Sequence, residues 1–180
     1  GVSIADQATV KTALISGTGF EGFRIDATEA MGAMRDGPAA SFCGRAIVMV
    51  KKAGVLVVDR VVVPHAALVE SRLHTFCEVT FGKSDVRIKG KKQRLQIAMD
   101  ATMPSLTKQG MGIPSHPGRE PDTMIRFVSQ KKVMEMTTAY FLTHNGKSDV
   151  AIRERGARTS VKISGDVSAR IGFDTEKFTF

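Results

Sequence analysis

Apolar residues alternate with polar ones along much of this chain, and in two places the alternation widens to a helical spacing. The β-branched run at 60–63 predicts a short strand. Pro64 follows it and suits the first turn of a helix, where its missing N–H costs nothing. Leu68, Val69, Leu73 and Phe76 recur at helical spacing and predict a helix over 65–76. Residues 78–81 read as a strand. Residues 86–89 and 94–99 read as a hairpin turning at Gly90-Lys91. The order is β-α-β-β-β. A second stretch repeats it. Residues 123–127 form the strand and Ser129 a helix N-cap. Val133, Met136, Thr137 and Tyr140 make a helical face, 151–153 and 159–164 a hairpin around Gly156, and 168–173 a further strand.

The two stretches are also related letter by letter. Gly82-Lys83-Ser84-Asp85-Val86-Arg87-Ile88 returns as Gly146-Lys147-Ser148-Asp149-Val150-Ala151-Ile152, an offset of 64. At the same offset Val61 and Val63 fall on Ile125 and Phe127, Val69 on Val133, and Phe76 on Tyr140. Arg94 falls on Arg158, and Ile97 and Met99 fall on Val161 and Ile163. Two copies of one supersecondary unit give this pattern; a similarity between two β-hairpins is the simpler alternative. Nearer the start, 5–15 reads as a helix, and 45–50 with 54–59 as a hairpin turning at 51–53. Gly32 and Gly37 interrupt a weak helical pattern over 27–34. A third, degenerate copy here would make the first domain two units. Four of the six prolines fall between Pro104 and Pro121, beside Gly110, Gly112 and Gly118. Residues 104–122 therefore read as a linker or long loop between a first domain, 1–103, and a partial second, 123–180. The expected fold class is α+β, built of repeated βαβββ units.

Charge adds a partner. The 26 basic and 18 acidic residues of this 180-residue chain leave a net charge of +8. Such a surface implies an anionic partner, nucleic acid by default. Anionic lipid or plain solubility are the alternatives. No apolar run approaches the roughly 20 residues of a membrane span. Two cysteines make no disulfide framework and fit a reducing compartment. No basic start leads into an apolar run of the kind a secretory signal has. The expected location is cytoplasmic, or viral within a host cytoplasm. The first residue is Gly rather than Met, which fits a processed chain or a fragment.

Two βαβββ units followed by another resemble the DNA sliding clamps. The stretch from Arg60 to Met99 resembles the second half of a clamp domain, and 123–164 the opening unit of the next. The resemblance implies sheets outside and helices lining a hole around duplex DNA. It implies a processivity factor without chemistry of its own or cofactor. It would form a homo-oligomeric ring, with a DNA polymerase and a clamp loader as partners. Carried over, it places Lys11, Arg72, His74, Lys131 and Lys132 on DNA-facing helix sides, away from the apolar stripes. Arg87, Lys89, Lys91, Lys92 and Arg94 surround the first hairpin, either for phosphate contact or as charges that protect an edge.

Other chemistry is sparse. Cys43 follows Ser41-Phe42 and precedes Gly44, and with His65 or His74 as base it would make a cysteine nucleophile. Cys43 and Cys77 in apolar company read more simply as buried thiols. No cysteine or histidine spacing matches zinc. His116 reads as loop. Gly17-Thr18-Gly19 lacks the rest of a phosphate loop. A single Tyr and no Trp argue against base stacking. Two rivals stand beside the clamp: an assembly protein, viral among the options, with a basic face, and an enzyme using Cys43.

Overall fold

A computed structural model describes residues 9–32, 40–82, 85–112 and 122–180. The first strands are β1 (Lys11–Gly17) and β2 (Phe20–Asp26), followed by a one-turn helix α1 (Thr28–Gly32). Then come β3 (Phe42–Val50), β4 (Gly54–Ala67), β5 (Glu70–Thr75), β6 (Glu78–Phe81), β7 (Asp85–Lys89) and β8 (Arg94–Ala101). The chain continues through β9 (Ser105–Met111), β10 (Thr123–Ser129), β11 (Val133–His144), β12 (Ser148–Arg155), β13 (Arg158–Gly165) and β14 (Ala169–Asp174). An eight-stranded sheet runs in the order β1-β2-β3-β4-β11-β8-β7-β6. Two three-stranded sheets, β5-β10-β9 and β12-β13-β14, complete the described fold. Every strand pair is antiparallel.

The large sheet is the middle layer of three. On β4, Leu56 and Val58 pack with Val161, Ile163, Ile171 and Phe173 of the β12-β13-β14 sheet. Val57, between them, packs on the other side with Val69, Ile125 and Phe127 of the β5-β10-β9 sheet. On β11, Ala139 and Phe141 face the first side and Met136 and Tyr140 the second. Period-two geometry sends neighbours to opposite faces, so a middle strand is apolar on both. The upper amides of β12 also reach the middle layer. Ser148 N–H donates to Gln96 Oε1 at 2.9 Å and Ile152 N–H to Asp100 Oδ2 at 2.8 Å.

This architecture overturns the α+β expectation of βαβββ units with helices along one face. The helix expected over 65–76 is the end of β4 and the whole of β5. Val69, Ser71 and Leu73 turn toward the middle layer, and Leu68 and Phe76 are exposed. Pro64 sits where the β4–β11 register shifts, between the Val133↔Ala67 and Glu135↔Val62 pairings, so its missing donor leaves no gap in the ladder. The second expected helix is β11, buried on both faces, which removes the polar alternation that marks a strand. Of the helix expected over 5–15, residues 11–15 lie in β1, and 1–8 fall outside the described residues.

The repeat dissolves in the same way. Its first copy leads into β7 of the large sheet and its second into β12 of a small one. Both copies open β-hairpins, and the flanking matches fall on strands of different sheets. The expected linker contains β9, which pairs with β10, while 113–121, including His116, lie outside the described residues. β11 pairs with β4 and β8, so strands from both sides of that stretch share one sheet. Among the described residues no helix is long and apolar enough to cross a membrane.

Candidate functional site

The β5-β10-β9 sheet covers only part of the large sheet. Its edge strand β5 runs over β4 and leaves the neighbouring part of β3 and β2 uncovered. A cleft of about 750 Å³ opens there. Ile25, Cys43, Arg45, Asp59 and Val61 form its floor, Val69–Arg72 one wall, and Ala27 and Met31 of the α1 segment another. The volume lies within the roughly 300–1,000 Å³ of small-ligand clefts, and the mix of apolar walls and few polar groups is typical of them.

The polar groups are tightly organised. Arg45 and Asp59 are cross-strand partners in the β3–β4 hairpin. Arg45 Nε donates to Asp59 Oδ1 at 2.6 Å and Nη2 to Oδ2 at 2.8 Å. Ser71 Oγ donates to the same carboxylate from β5. The Asp59 side chain is only 10% exposed and that of Arg45 39%, so the pair lies at the boundary between interior and cleft. Tyr140 lies beneath. Burial, then the Asp59 charge, push its phenol far above the usual range, so it stays protonated. Its hydroxyl and that of Thr138 are buried close together, with Ser71 also near the phenol, and neither makes a well-aligned hydrogen bond. Thr138 also lines the cleft.

A second charged group forms the rim. Arg126 grips Glu70 with Nε–Oε1 at 2.8 Å and Nη2–Oε2 at 2.5 Å, and Arg72 Nε donates to Glu70 Oε1 at 2.5 Å. Arg126 first, then Arg72, hold the Glu70 carboxyl below its ordinary 4.5, against the opposing effect of burial. A carboxylate lowered on folding stabilises the fold above its unfolded value, and that contribution disappears as pH falls through the lowered one. Glu70→Gln is therefore expected to flatten the acid loss of stability. Urea midpoints measured between about pH 3 and 6 check this: the wild type falls more steeply than the variant at the acid end.

The register extends this rim into a row. Arg126 on β10 lies opposite Arg72 on β5 and opposite Lys108 on β9. The three cations therefore cross the outer face of the small sheet, one per strand, spaced by the interstrand distance of about 4.8 Å. His74 lies on the same face and pairs with Asp122, Nδ1 to Oδ2 at 2.8 Å.

The structure unites only some of the residues singled out in the sequence. Arg72 and His74 lie on the outer face of β5, not on a helix. Lys131 and Lys132 lie in the connection between β10 and β11, and Lys11 in β1 opposite Asp26. Arg87, Lys89, Lys91, Lys92 and Arg94 belong to the β7–β8 hairpin of the large sheet. There Arg87 pairs with Asp85 at 3.0 Å and Lys89 with Glu78 at 3.4 Å, within their own hairpins. Cys43 is half-buried, and burial followed by the Asp59 charge push its thiol up, which disfavours a nucleophilic thiolate. Cys77 is exposed, not buried. Among the described residues no group of three or more His, Cys, Asp and Glu could hold a metal ion. Arg45, Asp59, Lys108 and Arg126 did not stand out in the sequence. The turn at 51–53 already sets Arg45 opposite Asp59, but Lys108 and Arg126 meet Arg72 only through long-range pairing.

No protein-family model matches the sequence, and no curated protein sequence matches it. Solved structures do match in fold. Two crystallised heparinase III proteins superpose with TM-scores of 0.69, at 8% and 13% identity, over 94% and 96% of this chain. A mutant heparan sulfate lyase from Pedobacter heparinus superposes with a TM-score of 0.59 at 11% identity over 94% of this chain. The chain spans only 28–30% of the length of these structures. At such identities the likeness is one of fold. It overturns the sliding-clamp reading, because the described residues form antiparallel sheets of a kind found in heparin lyases and hold only a one-turn helix, not helices to line a hole. Duplex DNA, the polymerase, the clamp loader and the homo-oligomeric ring fall with that reading, as does the replication role.

Proposed function

We propose that this β-fold binds an anionic polysaccharide along the outer face of its β5-β10-β9 sheet, as part of a polysaccharide-acting protein. The observation that carries this is the in-register row Arg72, Arg126 and Lys108. A row of cations on flat strands, two of them oriented by Glu70, suits a polymer with regularly spaced negative charges, and Arg forks match carboxylate and sulfate oxygens. The fold likeness supports the reading, since the similar structures are named as heparinases and a heparan sulfate lyase. The net charge of +8 supports it through long-range attraction. In this reading the domain holds and positions the polymer and breaks no bond itself. The protonated Cys43 thiol is consistent with that role.

The chain is expected to be retained on immobilised heparin and not on a neutral glucan, and to elute as salt rises. Arg72→Ala combined with Lys108→Ala leaves the Arg126–Glu70 pair in place. This variant is expected to lose about tenfold or more in affinity, on the order of 1.4 kcal/mol. Calorimetric titration with heparin at two salt concentrations measures it. Equal affinity for the neutral glucan, or an unchanged double variant, would overturn the proposal.

A further inference from the structure

We infer that the cleft beside the cation row is a pocket for a single carboxylate-bearing sugar, anchored by the Arg45 guanidinium. The inference rests on the polysaccharide reading and names the group the adjoining cleft takes. Arg45 is held rigidly: Asp59 accepts from Nε at 2.6 Å and from Nη2 at 2.8 Å, and Ser71 holds Asp59 in turn. A guanidinium carries more N–H donors than one carboxylate takes up. Among the described residues no acceptor engages Nη1, and the side chain lines the cleft with 39% of its surface exposed. Its orientation is thus set before any ligand arrives, which lowers the entropic cost of binding.

A second, independent observation marks the same cleft. The Thr138 hydroxyl lies in its lining, buried beside the Tyr140 phenol, and makes no well-aligned hydrogen bond. A hydroxyl donates and accepts, so it suits a sugar hydroxyl or ring oxygen. Val61, Val63 and Met136 supply apolar surface for the carbon face of a sugar ring. The unengaged edge of the Arg45 guanidinium selects the ligand. Within the lining Asp59 offsets Arg45 and Glu70 offsets Arg72, so the surplus positive charge, Arg126 and Lys108, lies along the adjoining row. The planar guanidinium edge complements the planar carboxylate.

The test uses small glycosides, so that it reads the cleft and not the row. The probes are the methyl glycosides of glucuronate, galacturonate and mannuronate, with uncharged methyl glucoside as the control. They are titrated into ¹⁵N-labelled protein. At least one uronate is expected to shift the Arg45 and Asp59 amides and to bind at least tenfold more tightly than methyl glucoside. Arg45→Lys keeps the charge but cannot hold Asp59 and present a second edge at once, so it is expected to weaken binding at least tenfold. Ala67→Phe fills the cleft without touching the ion pair and is expected to abolish binding. Absence of binding by all three uronates, equal binding of methyl glucoside, or unchanged binding in both variants would each overturn the inference. Heparin retention on the wild-type chain separates the two readings. Retention without uronate binding removes only the pocket; uronate binding without retention removes only the row.

Discussion

Arg45→Ala is expected to destabilise the fold by about 2–4 kcal/mol. The loss comes from what remains behind. Asp59 is 10% exposed, and with Arg45 gone its carboxylate keeps only the Ser71 hydroxyl. Removing one member of a buried ion pair leaves the other charge uncompensated in a poorly solvating site. The 39% exposure of Arg45 keeps the estimate below the upper end seen for fully buried pairs, because water reaches part of the site. The converse change, Asp59→Ala, leaves a guanidinium that can rehydrate through the cleft, and is expected to be milder. Arg45→Leu combined with Asp59→Leu removes both charges and is expected to recover most of the loss. Urea denaturation of the four proteins measures this. Equal losses for Arg45→Ala and the double variant would mean that side-chain packing, not charge compensation, holds this corner of the cleft.

Much of the strand content was legible because hairpins write themselves locally. The turns at 51–53, 90–93 and around Gly156 join strands that pair as their alternation predicts, and Gly156 adopts the positive φ of 57° that such a turn uses. The failures are the strands that lack a wet face. β11 has Ala139 and Phe141 on one side and Tyr140 on the other, all buried, so no polar residue breaks the run into a period of two. β5 failed differently. Its inward residues Ser71 and Leu73, with Val69 just before it, include a polar one that binds Asp59, and exposed Leu68 and Phe76 completed a false helical stripe. The site was legible only where it is local. Arg72 was visible as a charge off the apolar stripe, but its neighbours Arg126 and Lys108 come from 54 and 36 positions away, and nothing in a linear pattern brings them together. The nucleic-acid reading of the charge followed from the wrong secondary structure.

Phe141→Ala is expected to cost about 3–5 kcal/mol, while Phe76→Ala costs less than about 0.5. The helix reading of 65–76 and the layered sheet disagree about Phe76, and Phe141 sets the scale of a truly buried ring. Phe141 is wholly buried on β11, between β4 and β8, and packs with Leu56, Val58 and the β13 and β14 side chains across the layer. Gly54 on β4 sits against it, and a Cβ there would lie 3.2 Å from the ring tip. Truncation to alanine removes most of a ring from a closed space between two sheets. Strands hydrogen-bonded on both sides cannot slide in to fill it, so the cavity persists and adds to the lost transfer energy. Phe76 is 80% exposed just beyond β5 and buries almost nothing to lose. In a helix packed through Leu73 and Phe76 the costs would be reversed in kind, with Phe76→Ala losing several kcal/mol. Denaturation midpoints for the two variants against the wild type are the measurement. A Phe76→Ala loss comparable to that of Phe141→Ala would mean that β5 does not run along the cleft as described, and the wall that holds Ser71 against Asp59 would have to be rebuilt.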